Sequence, residues 1–247
     1  MNLVAEELSI PAADAAELHG LLQRPDDAFA LLVLGHGAGA GMTHPFMEGV
    51  AARLAERGIA TLRYEFPFMS AGRNRPDRTA TLVGSVRAAV RRAREVADGL
   101  PLFAGGKSLG GRMTSTAAVE AGWRAEPGGA HDQDEAERAV HGIVFMGFPL
   151  HRPRLPSAER AEHLERVRLP MLFLQGTRDD LADIELLRPV LTSLGPRATL
   201  YVVDGADHGF HVLKRSGRTD DEVLDELADQ TVAWMRRVLG NGAAQPR

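Results

Sequence analysis

The sequence predicts an α/β fold in which a mostly parallel, twisted sheet of about seven to eight strands carries helices on both faces. Six short apolar runs, bounded by Gly, Pro or Asp, are typical of strands buried on both sides: 29–34, 61–66, 102–105, 142–148, 171–175 and 199–203. Helical patterns alternate with them at 45–57, 79–98, 109–122, 183–194 and 219–239. This alternation is the sequence form of a doubly wound parallel sheet.

Length and composition predict one domain over residues 1–247, because 247 residues with 44% apolar and 25% charged side chains suit a single core. Segments 3–10 and 17–23 predict an antiparallel edge hairpin within residues 1–24. The tail 240–247 is predicted to fray, and the acidic stretch 126–137 to be a solvated loop away from the ligand-binding edge.

Composition also narrows the classes of function. The chain has no cysteine, which excludes disulfides, thiolate metal sites and a cysteine nucleophile. Its formal charge of −4 argues against a nucleic-acid partner, since phosphate contacts need a concentrated basic face. The longest apolar run, 28–34, is too short to cross a bilayer, so we expect no membrane partner and a cytoplasmic protein.

The most informative motif is the pentad at 106–110, which reads Gly-Lys-Ser-Leu-Gly between the apolar run at 102–105 and the helical pattern at 109–122. This G-x-S-x-G pattern predicts a nucleophile elbow, in which a sharp strand-to-helix turn holds a serine in a strained, exposed conformation. The glycines are needed where backbones pass too closely for side chains. The pattern predicts that Ser108 is a nucleophile at the carboxyl edge of the sheet, where ligands bind in such folds.

The glycine-rich turn at 35–41 has two interpretations. It resembles a dinucleotide fingerprint, since G-x-G-x-x-A follows a strand-like run and Glu65 ends the next one. That fingerprint needs a helix that begins within the glycines, whereas Met-Thr-His-Pro follows them here. The second interpretation is an oxyanion hole, in which the N–H of Ala38, or of Gly37, and the N–H of Leu109 point at the oxygen of a tetrahedral intermediate. The delayed helix favours the oxyanion hole.

A serine nucleophile needs a general base and a group that orients this base. Asp179 follows the run at 171–175, and His208 follows the next run, in Gly-Ala-Asp-His-Gly. The chain order Ser, Asp, His is that of α/β-hydrolases. Ser108 would attack, His208 would take and return the proton, and Asp179 would fix the imidazole tautomer. Asp180 competes for the last role, because a one-residue shift of the loop would exchange the two carboxylates.

Four motifs together resemble the α/β-hydrolase superfamily, in a dienelactone-hydrolase-like branch, over nearly the whole chain: GHGAGAG, GGKSLGGR, GTRDD and GADHGF. Longer stretches, among them RYEFPFM and GFPLH, resemble a small family of bacterial hydrolase-like proteins related to an animal chromatin-complex (NSL) subunit and a testis-expressed protein. The resemblance implies the α/β-hydrolase fold but no agreed substrate. Dienelactone hydrolases use a cysteine nucleophile where this chain has Ser108, so that activity is not carried over.

The rim of the site is predicted to be positive, since loops 67–78 and 149–156 carry several arginines and few acids. Five side chains are predicted to border the substrate: His36, Arg73, Arg75, Lys107 and Arg152. Guanidinium groups bind carboxylates and phosphates bidentately, so an anionic ester is one expectation. The alternative is a solvated rim paired with nearby acids. Segment 149–169 is too short for a large lid, which predicts an open pocket for small substrates.

Two basic residues near the serine have open interpretations. Lys107 is one of only two lysines among 29 basic residues. Its ammonium would either reach solvent along its stem or act as a point charge beside the pocket. Arg112, one helical turn beyond the serine, is interpreted as a structural anchor for the loop above it.

The sequence thus predicts a serine hydrolase that cleaves a small carboxylic ester or thioester through an acyl-enzyme, without a metal or organic cofactor. The alternative is a non-catalytic protein of the same fold that binds a small molecule or a protein partner. The complete set of Ser108, Asp179 and His208 favours the enzyme, because a binding module has no reason to keep all three. Acyl transfer by the same residues is left open, and the motifs specify neither the acyl group nor the oligomeric state.

Overall fold

Eight strands form one sheet in the computed structural model, which describes residues 4–12, 17–125 and 139–242. In chain order they are β1 (Glu6–Ile10), β2 (Leu18–Gln23), β3 (Ala30–Gly35), β4 (Ile59–Tyr64), β5 (Leu102–Lys107), β6 (Ile143–Met146), β7 (Met171–Arg178) and β8 (Ala198–Asp207). Their order across the sheet is β1-β2-β4-β3-β5-β6-β7-β8. Strands β1, β2 and β4 pair antiparallel, and all other neighbours pair parallel.

Helices cover both faces of this sheet. They are α1 (Pro45–Ala55), α2 (Pro67–Ser70), α3 (Thr79–Val96), α4 (Leu109–Ala121), α5 (Ile184–Ser193) and α6 (Asp220–Gly242). Side chains of α1 and α6 share one apolar core with the sheet, and those of α3, α4 and α5 share the core on its other face. No helix in the described ranges is long and apolar enough to cross a membrane.

The central strands are apolar on both sides because both faces are covered. Every residue of β3 and β6 is buried. Within β3, Leu32 and Leu34 belong to the core on the α1 side, while Leu31 and Val33 belong to the core on the α3 side. The predicted parallel sheet with helices on both faces is therefore confirmed.

The elements differ from the predicted ones mainly at their ends. Strand β4 stops at Tyr64, and Pro67 begins the short helix α2, which the periodicity does not predict because it is only four residues long. Strand β8 is twice the predicted length and continues to Asp207. The predicted hairpin is present as β1 paired with β2, and α6 continues through Gly242. The acidic segment 126–137 and residues 243–247 of the tail lie outside the described residues.

The connection between β6 and β7 is the segment that would carry a lid over the sheet edge. Between Met146 and Met171 the chain forms one short 3-10 stretch, Glu159–Arg166, and otherwise irregular loop. The carboxyl edge of the sheet is therefore open above Ser108, as the short spacing predicts.

Candidate active site

The turn between β5 and α4 places Ser108 in a strained backbone conformation. Its φ of 49° and ψ of −109° lie in a region that residues other than glycine rarely adopt. The turn is fixed from below, because a Cβ at Gly106 or at Gly110 would collide with the carbonyl oxygen of Gly35 on β3. The Ser108 N–H also donates to the carbonyl of Met146 at 3.1 Å. The predicted elbow geometry is present in the structure.

Ser108, His208 and Asp179 form one chain of hydrogen bonds. The serine Oγ lies 2.9 Å from Nε2 of His208, and Nδ1 of the same ring lies 2.7 Å from Oδ2 of Asp179. The three residues come from the ends of three parallel strands, β5, β7 and β8, which converge at the carboxyl edge. The neutral ring can accept the serine proton at Nε2 while Nδ1–H donates to the carboxylate.

The carboxylate on the imidazole belongs to Asp179 and not to Asp180. The Asp179 side chain is fully buried and accepts two further hydrogen bonds, from Nε2 of Gln175 at 2.5 Å and from the backbone N–H of Leu181 at 2.8 Å. Asp180 is exposed. Gln175, buried within β7, also accepts the backbone N–H of Phe148 at 3.0 Å through its Oε1. Sequence reasoning missed Gln175, although a lone amide in an apolar strand was the available signal.

The glycine-rich turn after β3 is held by side chains beneath it. His36 is fully buried, with Nδ1 at 2.7 Å from the Gly37 carbonyl and Nε2 accepting the backbone N–H of Phe66 at 3.0 Å. The carboxylate of Glu65 contacts the same ring at 2.9 Å and accepts the backbone N–H of Met42 at 3.3 Å. His36 therefore lies under the turn and not on the rim where the sequence analysis placed it. Glu65 supports the turn, which leaves the dinucleotide interpretation without its acidic ribose contact.

The predicted oxyanion-hole residues surround the serine. Gly37 and Ala38 line the same pocket as Ser108, and a Cβ on Gly37 would lie 3.8 Å from the serine Cβ. Leu109 is the first residue of α4, and N–H groups at a helix start have no partner within the helix. This proximity supports donors from Ala38 and Leu109, with Gly37 as the alternative, and the assignment stays a prediction.

Lys107 points into the interior of the site and not to solvent. Its Nζ donates to the backbone carbonyl of His208 at 2.5 Å and lies 5.4 Å from the ring centre of Phe210 and 5.9 Å from that of Phe46. Burial lowers the pKa of Lys107 to about 8, although the charges of Asp179 and Asp207 act in the opposite direction. The contact fastens the loop that carries His208 to the serine turn.

The pocket at Ser108 has a volume of about 300 Å³ and mostly apolar walls. Phe46, Met47 and Leu181 supply the larger side chains around the serine and His208. Among the residues the structure describes, no arginine lines this pocket.

The predicted rim arginines lie elsewhere. Arg73 pairs with Asp77 at 2.7 Å, Arg75 is exposed, and Arg152 lines a different cavity. Sequence position alone placed these side chains on one rim, because it does not show where two loops point.

A second serine and histidine lie close together, with Ser115 Oγ at 2.7 Å from Nε2 of His163. Ser115 is fully buried in α4, and no carboxylate of a described residue contacts His163. Burial, and next the charge of Arg112, lower the pKa of His163 to about 4. Both pairs have the proximity that a nucleophile and its base require, but only the Ser108 pair has an orienting acid and a serine that lines a pocket.

Comparison with known proteins agrees with the observed fold. A family model described as "Alpha/beta hydrolase domain" matches residues 28–236, so the chain belongs to the alpha/beta hydrolase family. Similar solved structures are a dienelactone hydrolase from Anabaena variabilis (21% identity, 94% of this chain and 97% of that chain, TM-score 0.70), an alpha-beta serine hydrolase homologue from Coxiella burnetii (18%, 94% and 98%, 0.69) and the esterase domain of a Rhodothermus marinus protein (17%, 94% and 98%, 0.67). At these identities the likeness establishes the alpha/beta hydrolase fold.

Proposed function

We propose that this protein is a serine hydrolase that cleaves a small carboxylic ester or thioester through an acyl-enzyme on Ser108. The observation that carries the proposal is the continuous hydrogen-bonded chain from Ser108 through His208 to Asp179 at a strained, accessible turn. Structural neighbours named dienelactone hydrolase and esterase domain support the class of reaction. The narrower resemblance to the family of the chromatin-complex (NSL) subunit stays a hypothesis.

In the proposed reaction, His208 Nε2 takes the hydroxyl proton as Ser108 Oγ attacks the carbonyl carbon. The oxyanion accepts hydrogen bonds from the N–H groups of Ala38 and Leu109, each of which is typically worth about 3 kcal/mol in the transition state. Asp179 stabilises the imidazolium, which then protonates the departing alcohol or thiol. In the second half of the reaction, His208 takes a proton from water as the water oxygen attacks the acyl carbon, and then returns it to Ser108 Oγ as the ester bond to the serine breaks and the acid leaves. Every proton transfer has a residue assigned to it, so the proposal requires no metal or cofactor.

The pocket limits the substrate to a small and largely apolar acyl or alcohol group. A volume of about 300 Å³ lies at the lower end for small-molecule sites, and the apolar walls at Phe46, Met47 and Leu181 offer few polar partners. Lys107 is the one cation that lines this pocket among the described residues, and its ammonium already donates to the His208 carbonyl. Short neutral esters are therefore the substrates that the pocket favours, in preference to the anionic esters suggested by the loop arginines.

Turnover of 4-nitrophenyl acetate by three forms of the protein tests the proposal. We expect the Ser108→Ala variant to lose about 10³-fold or more of the wild-type kcat, because no nucleophile remains. The control is Ser115→Ala, which removes the hydroxyl of the second serine–histidine pair and should retain activity. Loss of turnover in Ser115→Ala with full turnover in Ser108→Ala would contradict the assignment. A folded wild type without activity on any short ester would favour the non-catalytic alternative.

A further inference from the structure

A second cavity, larger than the Ser108 pocket, lies between α4, the loop after β6 and the 3-10 stretch Glu159–Arg166. Its volume is about 830 Å³, which is ample for a small organic molecule. The two cavities share no lining residue. The large cavity is therefore a distinct place on the molecule, one helical turn along α4 from the serine.

Positive side chains dominate the wall of this cavity. Four arginines line it, from three separate parts of the chain: Arg112, Arg152, Arg160 and Arg166. Two acids, Glu159 and Glu162, line it as well, but no ion pair joins them to these arginines within the described residues. Some arginines elsewhere on the surface do pair with acids, as Arg57 does with Asp225 and Asp229. Among these four guanidinium groups, Arg160 donates to the carbonyl of His151 at 2.9 Å, and the other three donate to no described residue, so most of their N–H groups are available.

Arg112 shows this availability most clearly. Its position one turn beyond the serine predicts a structural anchor, yet its guanidinium donates no hydrogen bond to any described residue. Burial, and next the charge of Arg160, lower the pKa of Arg112, and burial followed by the charge of Arg152 lowers that of Arg160. The arginines therefore repel one another across the cavity. A structural anchor would be placed against an acceptor, whereas a set of half-buried, mutually repelling cations is stabilised when an anion enters.

The cavity also offers an apolar surface next to these charges. Leu150 is fully buried at its wall, and Leu155 is 62% exposed, one of few large apolar side chains that face solvent. A ligand with an organic body can cover Leu155 while its charged group meets the guanidinium forks. The combined positive charge of several arginines is larger than one carboxylate can balance. A phosphate monoester suits it better, because its dianion carries more negative charge and accepts bidentate hydrogen bonds.

We propose that the arginine cavity formed by α4, the loop after β6 and the 3-10 stretch binds the phosphate group of a small organic phosphate. Arg112 and Arg160 supply the half-buried contacts, Arg152 and Arg166 lie at the mouth, and Leu155 covers the organic body. The site does not depend on the chemistry at Ser108.

Isothermal titration of the purified protein with phenyl phosphate, inorganic phosphate and phenol, at constant ionic strength, tests this site. We expect saturable binding of both phosphates, with phenyl phosphate at least as tight because of Leu155, and no binding of phenol. The Arg112→Gln and Arg152→Gln variants should each weaken phenyl phosphate about tenfold, since each removes a charge-assisted contact. The matched controls Arg87→Gln and Arg215→Gln remove the same charge from exposed arginines outside the cavity and should leave the affinity within twofold.

Two results would overturn the proposal. One is that neither phenyl phosphate nor inorganic phosphate binds to the protein saturably. The other is an equal loss of affinity in the cavity variants and in the Arg87→Gln and Arg215→Gln controls, which would indicate general charge screening. Thermal unfolding in phosphate-free buffer separates a binding role from an anchoring role. Arg112→Gln should keep or raise the melting temperature because it relieves repulsion, and a drop of several degrees would show that Arg112 is an anchor after all.

Discussion

At the scale of single residues, the environment of Asp179 determines which of two adjacent carboxylates accepts the hydrogen bond from the imidazole of His208. Asp179 accepts hydrogen bonds from His208, Gln175 and the backbone of Leu181, so it is buried with its acceptors satisfied. Asp180 points to solvent. Buried carboxylates are tolerated only when they are paired in this way, which makes Asp179 a rigid orienting group.

Replacement of this carboxylate should affect kcat strongly. In Asp179→Asn, the amide can donate to Nδ1 of His208, which would favour the tautomer that cannot accept the serine proton. We expect kcat for a short ester to fall by about 10⁴-fold while the protein remains folded. Steady-state kinetics of the variant checks this, with Asp180→Asn as the matched control that should stay within twofold of wild type. A larger loss in Asp180→Asn than in Asp179→Asn would contradict the assignment.

Sequence could bring Ser108, His208 and the Asp179–Asp180 pair to one edge, because each lies at the end of a predicted strand in a recognisable motif. It could not choose between Asp179 and Asp180 by physics alone, since a loop shift of one residue reverses their burial. The partners of Gln175 and the buried position of His36 were not predictable either, although a lone amide in an apolar run marks Gln175 as unusual. Both depend on which side chains of neighbouring strands contact each other, and the order of apolar and polar residues along one sequence does not contain that information.

At the scale of elements, the close contact between β3 and the start of α4 determines the elbow. Gly106 and Gly110 pass so near the carbonyl of Gly35 that no side chain fits between them. The motif therefore has a packing cause, and the G-x-S-x-G spacing predicts it because the same contact is needed wherever a strand turns this sharply into a helix.

A methyl group at this contact should destabilise the fold. Gly110→Ala places a Cβ against the backbone of Gly35, which cannot rotate away, and we expect a loss of about 3 kcal/mol in the free energy of unfolding. The control is Gly84→Ala in α3, where a Cβ meets no atom within 4 Å. That change should stabilise the protein by about 0.5–1 kcal/mol, because alanine is the better helix former. Urea unfolding measures both variants, and equal effects would contradict the packing account.

Element boundaries were less predictable than element types. The apolar runs identify the parallel strands, since burial on both faces leaves a continuous apolar pattern. The end of β8 extends past Asp204 to Asp207, which pairs with Arg178 after a register shift, although the composition of this segment is typical of a turn. Asp207 still has the local role expected of it, because its Oδ1 accepts the backbone N–H groups of Gly209 and His211.

At the scale of the whole molecule, Lys107 links folding stability to pH. Burial lowers its pKa to about 8 in the folded protein, whereas the ordinary lysine value is 10.5. Between these pH values the unfolded chain binds more protons than the folded chain, so this group makes the free energy of unfolding rise from about pH 8 to about pH 10.5. Below pH 8 the buried ammonium costs stability.

Removal of that charge should stabilise the protein at neutral pH. We expect Lys107→Met to raise the free energy of unfolding at pH 7 by about 2 kcal/mol, and the gain to disappear by about pH 10. Urea unfolding at the two pH values checks this. The control is Lys214→Met. Lys214, the only other lysine of the chain, is exposed, so this change should alter the free energy of unfolding by less than about 0.5 kcal/mol at both pH values. A less stable Lys107→Met at pH 7 would mean that the hydrogen bond to His208 outweighs the cost of burial.

The positions of the loop arginines relative to Ser108 also differ from those that the sequence predicts. The sequence predicts one rim of loop arginines around the serine, yet the fold separates a small apolar pocket from a cationic cavity. Sequence shows that the loops after β4 and β6 lie at the same edge of the sheet. It does not show that Arg152 turns towards Arg160 and away from Ser108, because that depends on the path of the 3-10 stretch.

The most direct measurement of the central claim is the site and stoichiometry of labelling by a fluorophosphonate probe, determined by mass spectrometry of the intact and digested protein. The account predicts one adduct for each wild-type chain, located on Ser108. It also predicts no adduct in Ser108→Ala and full labelling in Ser115→Ala. Folded wild-type protein that remains unlabelled, or an adduct on Ser115, would contradict the account.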